Sequence, residues 1–249
     1  MYIVFFWKWK KRAQDFYPDN RPFIFGHRGS PEKSTENTIA SFEQAIEQGV
    51  DGLELDIRLS RDKRLVIFHD PSLERLAGIK KKIKHLTFDE MKEVLLEQNQ
   101  TIPLLGEVVQ LIPKIKALNI EIKSDWLFGG QGILSPLIKF LNKHDIDDKC
   151  IVSSFNPLIL WRLKLQRPQT IIGYLYNRNR LFHSWSNLVW MCRIRPDNLH
   201  IHYSLLDSWV VNWARNKGMK INSYTINDKK VFDNAKINGV FTDNIEYLK

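Results

Sequence analysis

Residues 52–60, GLELDIRLS, alternate in polarity: Leu53, Leu55 and Ile57 take one side of an extended chain, and Glu54, Asp56 and Arg58 take the other. On a surface strand this pattern would be ordinary. Here the stretch lies between two apolar runs, FIFG before it and LVIF after it, so it reads as a central strand. Paired carboxylates in a buried strand require a chemical reason.

Strand-like runs recur on both sides: 23–27 (FIFGH), 53–58, 65–69 (LVIFH), 119–123 (NIEIK), 150–154 (CIVSS), 170–175 (TIIGYL), 198–202 (NLHIH), 220–225 (KINSYT) and 239–242 (GVFT). Helical patterns fill most of the gaps. In NTIASFEQAIEQ, residues 37–48, Ile39, Phe42, Ala45 and Ile46 share one stripe, and Gly49 ends it. TFDEMKEVLLE opens on Thr87 with Glu90 three residues on, a capping box. SLLDSWVVNWARNKG closes on Gly218, a helix C-terminal signal. Alternating β and α elements imply a mostly parallel sheet with helices outside it. The 249 residues suit one barrel. The expected fold is therefore α/β, an irregular (β/α)8 TIM barrel. Two irregularities are visible. Only the polar SRDKR separates the second and third strands, which leaves room for a hairpin or tight turn and none for a crossover helix. Residues 70–102 form an insertion after the third strand with its own short helix.

Composition narrows the class. Hydrophobic residues make up 43% and charged residues 26%, a mix that builds a sizeable core. A formal charge of +9 favours anionic partners without choosing among them. Cys150 and Cys192 lack CxxC spacing, which argues against a zinc site or a disulfide framework and for reduced thiols in a cytoplasmic protein. Residues 1–21 read as an apolar and basic leader ahead of a barrel domain over 22–249. The leader's run Met1–Trp7 is shorter than the roughly 20 residues a bilayer span needs. Its basic residues follow the apolar ones, the reverse of a secretory signal. It is either an interfacial membrane contact or an arm packed on the domain.

Out-of-place polar residues collect at strand ends: His27 and Arg28 in GHRG, His69 and Asp70 in LVIFHD, Glu121 and Lys123 in NIEIK. In parallel barrels those ends form the rim from which catalytic groups come. Each residue alone has a structural reading, as a satisfied histidine, a solvated strand face or an ion pair. Together, His27, Arg28, Glu54, Asp56, His69 and Glu121 converge on one cavity if the barrel forms. Three carboxylates in a low-dielectric space repel unless neutralised. A divalent cation with oxygen ligands, Mg2+ or Ca2+ rather than Zn2+, is the natural solution. Two imidazoles nearby then supply acid and base near neutral pH.

The run GHRGSPEKSTENTIASFEQAIEQGVDGLELDIRLSRDKRLVIFHDPSLERL resembles the signature of the glycerophosphodiester phosphodiesterase family: HRG, ENT, ExD, HD and a later ExK. The likeness runs from about residue 22 to the C-terminus, and SYTIND and GVFTDN fit the same template. The resemblance implies an irregular TIM barrel and hydrolysis of glycerophosphodiesters to sn-glycerol 3-phosphate and an alcohol. It implies one divalent cation on Glu54, Asp56 and Glu121, with His27 and His69 as the acid–base pair and Arg28 and Lys123 on the phosphate. Tyr224 stands where the family commonly has tryptophan and is assigned to substrate packing. Thr35, Lys63 and the TDN segment also depart from the common pattern. Asn37 is expected to cap the first helix, a structural role shared with Glu36.

Residues 176–195, YNRNRLFHSWSNLVWMCRIR, interleave arginine with aromatics. They suit a barrel helix with Phe182, Trp185, Leu188 and Val189 as core, or a lipid contact; no nucleic-acid module accompanies them. Peripheral contact with an anionic membrane through residues 1–12 and 176–195 is therefore expected alongside a small-molecule substrate. The rival functions are a lysophospholipase D using the same site and a catalytically silent barrel that binds anionic lipid. An intact histidine pair weighs against the last, because a binding module needs no acid and base.

Overall fold

Eight parallel strands close into a barrel in the computed structural model, which describes residue 9 and residues 12–125, 130–176, 183–234 and 236–248. The strands are β1 (Phe23–Gly26), β2 (Gly52–Leu59), β4 (Ala117–Ile122), β5 (Cys150–Ser154), β6 (Ile171–Tyr176), β7 (Asn198–His202), β8 (Lys220–Tyr224) and β9 (Gly239–Thr242). Each pairs with its neighbour in parallel, and β1 closes the ring by pairing with both β9 and β2. The short β3 (Leu65–Ile67) lies outside the ring and pairs antiparallel with β2 alone. The SRDKR turn thus makes a hairpin, and the extra strand is the hairpin's return.

Alternation sorts the side chains. One face of each strand looks outward to the helices: Leu53, Leu55 and Ile57 of β2 join Phe42 and Ala45 of α1 (Ile39–Glu47) in the main core. The other face fills the barrel. Its lower part is apolar, with Phe23, Phe25, Ala117, Ile151, Ile171 and Phe241 packed together. Fully burying a large apolar side chain stabilises by about 1.5–3 kcal/mol. The chain before β1 completes this plug. Tyr17 packs edge-on against Phe23, its hydroxyl accepting from Asn222 Nδ2 at 2.7 Å and donating to Asn198 Oδ1 at 3.0 Å. Further along the same arm Arg12 binds both oxygens of Asp197, and Trp9 meets the edge of Trp213.

The insertion carries two short helices, α2 (Glu74–Ala77) and α3 (Phe88–Lys92), where the sequence suggests one. Left-handed Gly78 stops α2 after a single turn, too short to leave a periodic signal. The expected capping box at Thr87 and Glu90 opens α3. The crossover into β4 is made by a 3-10 segment, Leu105–Lys114, whose Leu105, Val108, Leu111 and Ile112 are buried. The remaining crossovers are α4 (Leu134–His144), α5 (Pro157–Gln166), α6 (His183–Ile194), α7 (Trp209–Asn216) and α8 (Lys229–Asn234). Among the described residues, no helix is long and apolar enough to cross a membrane.

Two local expectations change. Val189 is 65% exposed, not core. The buried stripe of α6 runs instead through Leu188, Met191 and Ile194, because helical neighbours in sequence point about 100° apart. Phe182 and the side chain of Trp185 lie outside the described residues, as do most of residues 1–12. The other change concerns Asn37. Thr38, not Asn37, is the N-cap of α1, its hydroxyl accepting from Ser41 N–H. Asn37 is released for the site.

Candidate active site

The polar half of the barrel interior begins where β1 ends. After Gly26 the chain turns sharply, with Arg28 at φ 57° and Gly29 at φ 90°. A Cβ on Gly29 would lie 2.6 Å from the carbonyl carbon of Ser41, so only glycine fits there. The turn aims the Arg28 N–H at Glu54 Oε2, 2.9 Å away. The Arg28 guanidinium donates to Glu36 Oε1 at 2.9 Å and lies 3.2 Å from Asp56 Oδ2. Asn37 grips Asp56 from two sides, backbone and carboxylate. These contacts follow from HRG and ENT being folded against ExD.

Register brings the third acid to the first two. β2 and β4 pair Asp56 with Glu121, and their carboxylates and that of Glu54 have oxygens that all lie within 4.8 Å of one another. Lys123 sits between, 3.0 Å from Asp56 Oδ1 and 2.5 Å from Glu121 Oε1. Three buried acids against two cations leave the cluster short of positive charge. Burial and the Asp56 charge push Glu54 up to about 8. Burial likewise raises Glu121, against the pull of Lys123. Burial would raise Asp56 too, but Lys123 and Arg28 outweigh it and hold it well below the carboxylate range. Glu54 Oε1 is buried without a hydrogen-bond partner, an arrangement rare in proteins unless an ion or water is accommodated. An all-oxygen donor set with a spare buried lone pair fits a hard divalent cation.

Two imidazoles flank this cluster, each oriented by its own carboxylate. His27 Nδ1 is 2.7 Å from Asp243 Oδ1, and His69 Nδ1 is 2.7 Å from Asp70 Oδ1. Such partners fix the tautomer that leaves Nε2 free. Their surroundings push them apart. Burial opposes charge on His27, but Asp243 and Glu54 outweigh it and raise its pKa. Burial lowers His69, and the nearby Lys123 charge lowers it further. Arg75 links the outer carboxylates, bonding Asp70 at 2.6 Å and Glu36 at 2.6 and 3.0 Å.

One cavity of about 170 Å³ is lined by His27, Arg28, Glu54, His69, Glu121, Lys123 and Tyr224. Asp56 lies behind it, fully buried. All eight residues singled out in the sequence therefore meet around one space. Tyr224 lends its ring, since its hydroxyl is spent on the Tyr176 carbonyl at 3.0 Å. Sequence reasoning did not pick out Asp243, Arg75, Asn119 or His200. Asp243 had a usable signal, an acid one residue past a strand end. His200 and Asn119 sat inside strand patterns and gave none.

The model of the glycerophosphoryl diester phosphodiesterase family matches residues 27–247. The chain belongs to that family. A glycerophosphodiester phosphodiesterase of Caldanaerobacter subterraneus subsp. tengcongensis is 32% identical over 239 residues, 92% of this chain and 96% of the relative. The crystal structure of a glycerophosphodiester phosphodiesterase from Thermotoga maritima superposes with a TM-score of 0.78 at 32% identity, covering 93% of this chain and 98% of the other. An Oleispira antarctica phosphodiesterase, solved with the product sn-glycerol-3-phosphate, gives 0.78 at 30% identity over 90% of this chain and 93% of its own. This glycerophosphoryl diester phosphodiesterase family member is thus a hydrolase, and its acidic cluster can hold a metal ion.

Proposed function

We propose that the chain hydrolyses glycerophosphodiesters to sn-glycerol 3-phosphate and an alcohol, using a divalent cation on Glu54, Asp56 and Glu121 and acid–base catalysis by His27 and His69. The observation that carries this reading is the cluster of three buried carboxylates, one with an unpartnered oxygen, between two imidazoles anchored at Nδ1 by separate aspartates. When bound, Mg2+ or Ca2+ supplies charge stabilisation for the phosphoryl oxygens. Arg28 and Lys123 add to that field. His69, whose pKa is lowered, starts neutral and takes the proton of the nucleophile: either water, which gives sn-glycerol 3-phosphate directly, or the glycerol 2-hydroxyl, which gives a cyclic phosphate that water then opens to the same product. His27, whose pKa is raised, starts charged and protonates the leaving alkoxide. Opposed pKa shifts in neighbouring groups are the usual signature of an acid and a base. Each histidine contributes on the order of 10²–10⁴ in rate.

The test uses glycerophosphocholine and lysophosphatidylcholine, each with and without a chelator, with the phosphate-bearing products assayed. Metal-dependent turnover of the first supports the reading; faster turnover of the second makes the protein a lysophospholipase D. No turnover of either with metal supplied leaves a silent anionic-lipid binder. A His69→Ala variant as active as the parent ends the mechanism. We place the protein in the cytoplasm with peripheral contact at anionic membrane. Support comes from its charge of +9 and from Leu165 and Val189, 63% and 65% exposed on the adjoining helices α5 and α6.

A further inference from the structure

The closed end of the barrel carries an open cavity of its own, about 740 Å³, lined by Arg12 of the N-terminal arm, Lys164 and Gln169 where α5 leads into β6, and Arg193 and Arg195 at the end of α6. These residues precede β6 and β7, whereas the reacting groups follow the strands they stand on, so cavity and active site lie at opposite ends of the parallel barrel. Arg12 binds both oxygens of the buried Asp197, and Lys164 lies 3.8 Å from the same carboxylate. Arg193 sits over the Trp161 ring, 4.4 Å from its centroid, and Arg195 ends α6 at φ 52°. Both arginines are exposed, and among the described residues neither pairs with a carboxylate. Burial lowers the Lys164 pKa, and Arg12 and Arg195 lower it further against the pull of Asp197. The helix ends do not balance this crowding. Each helix C-terminus carries about half a negative charge, so α5, α6 and Asp197 together supply about two negative charges against the four cations. Unspent positive charge in a concave surface draws an anion.

Apolar side chains border the cavity. Trp161 and Leu165 stand one turn apart on α5, as do Val189 and Arg193 on α6, and Trp190 packs beside Trp161 with ring centroids 6.4 Å apart. Leu165 and Val189 are the most open of them, at 63% and 65% exposure. The arm that brings Arg12 to this end is preceded in sequence by the apolar run Met1–Trp7 and by Lys8, Lys10 and Lys11. A free phosphate ester would use the cations and leave Leu165 and Val189 in water. A bilayer surface uses both, its phosphates meeting the cations and its acyl boundary the apolar groups.

We propose that the closed end of the barrel is the face that docks on an anionic bilayer, with a lipid phosphate held among Arg12, Lys164, Arg193 and Arg195 and with Leu165 and Val189 in the headgroup layer, so that the catalytic mouth opens away from the membrane into solution. The inference rests on the membrane contact proposed above and assigns its face and its phosphate-binding cavity. It does not depend on the reaction.

The experiment sediments the full chain with vesicles of phosphatidylcholine alone and of phosphatidylcholine mixed with phosphatidylglycerol. The parent is expected to bind the mixed vesicles far better than the neutral ones and to be released by salt. Arg193→Gln combined with Arg195→Gln is expected to lower the partition coefficient at least about tenfold, since each basic residue at an anionic surface is worth a factor of about five. Lys63→Gln combined with Lys84→Gln, exposed near Lys123 at the opposite end, is expected to leave it unchanged. Vesicle-bound parent is expected to turn over soluble glycerophosphocholine as fast as the free protein. A parent that binds no vesicle overturns the docking face and the membrane placement together. Equal binding after the Arg193 and Arg195 changes, or loss of binding after the Lys63 and Lys84 changes, overturns the face and leaves the placement standing; so does vesicle-bound protein whose turnover is blocked. Calorimetric binding of inorganic phosphate that needs Arg193 and Arg195, without vesicle binding, makes the cavity a site for a free phosphate ester and overturns the docking. If the double variant fails to fold, Arg195→Gln alone decides, with a loss of about fivefold expected. A parent without turnover in solution strikes the reaction and leaves the sedimentation result to decide the face.

Discussion

Asn37 clamps Asp56 from both ends: its Oδ1 accepts from the Asp56 N–H at 3.1 Å, and its Nδ2 donates to Asp56 Oδ2 at 2.8 Å. The residue sits at φ 59°, a conformation asparagine tolerates better than most side chains. Losing two buried hydrogen bonds to Asp56, one to its carboxylate and one from its backbone N–H, Asn37→Ala should cost about 1–3 kcal/mol of stability and weaken metal binding about 10–100-fold. Denaturant melts and calorimetric metal titration check the two effects. Unchanged metal affinity would show that Asp56 is held well enough without the clamp.

The histidines predict a bell-shaped pH profile of kcat/KM at saturating metal. His69 must be neutral to act as base, and its pKa is lowered, so activity rises as pH climbs through a value below that of a free imidazole. His27 must be charged to act as acid, and its pKa is raised, so activity falls as pH climbs through a value above it. Asp243 is one cause of that rise. Asp243→Asn should therefore move the alkaline limb to lower pH and leave the acid limb in place. Movement of the acid limb instead would exchange the two roles.

Metal binding should release protons. Glu54 is pushed up to about 8 by burial and by Asp56, so near neutral pH the metal-free cluster holds a proton that a dication displaces. Affinity should rise with pH up to that value, and the binding heat should differ between buffers of different ionisation enthalpy. The sign of the stability effect follows. The folded metal-free protein keeps a proton on Glu54 that the unfolded chain has lost above 4.5, so this group subtracts stability as pH rises from 4.5 towards 8. Glu54→Gln should remove that loss while abolishing tight metal binding. Equal heats in both buffers would sink the proton-release account.

Tyr17 predicts a separation of stability from activity. Tyr17→Phe keeps the ring against Phe23 but strips Asn198 and Asn222 of their shared partner at the barrel base. The cost should be about 1–3 kcal/mol, a fall of roughly 2–4 °C in Tm per kcal/mol at this chain length. The reacting groups lie at the other end of the barrel, so kcat should stay within about twofold of the parent, a ratio well under the 1.4 kcal/mol that tenfold represents. A large loss of kcat with little loss of Tm would contradict the partition.

The arrangement of elements was legible because it is written in periods. All nine strand runs formed, and the GLELDIRLS alternation sends Leu53, Leu55 and Ile57 to the outer core and Glu54 and Asp56 into the barrel. The one-turn helix at Glu74 and the 3-10 crossover at Leu105–Lys114 were not, since a single turn or a three-residue period leaves too short a pattern. Asn37 misled for a related reason. An asparagine before a helix is a common cap, and the nearby Thr38 takes that place once the chain is folded.

The sequence by itself determined the order and chemical type of the reacting groups: the HRG, ExD, HD and ExK segments name the acids, bases and cations whatever their distances. Only the tertiary structure decided which of these charges face one another. That covers the clamp of Asn37 on Asp56, the separate carboxylates behind His27 and His69, and the unpartnered oxygen of Glu54. The reason is physical. Periodicity is a local property of consecutive residues, while a pKa or an unsatisfied hydrogen bond depends on burial and on neighbours far away in the chain, brought close only by the register in which the barrel closes.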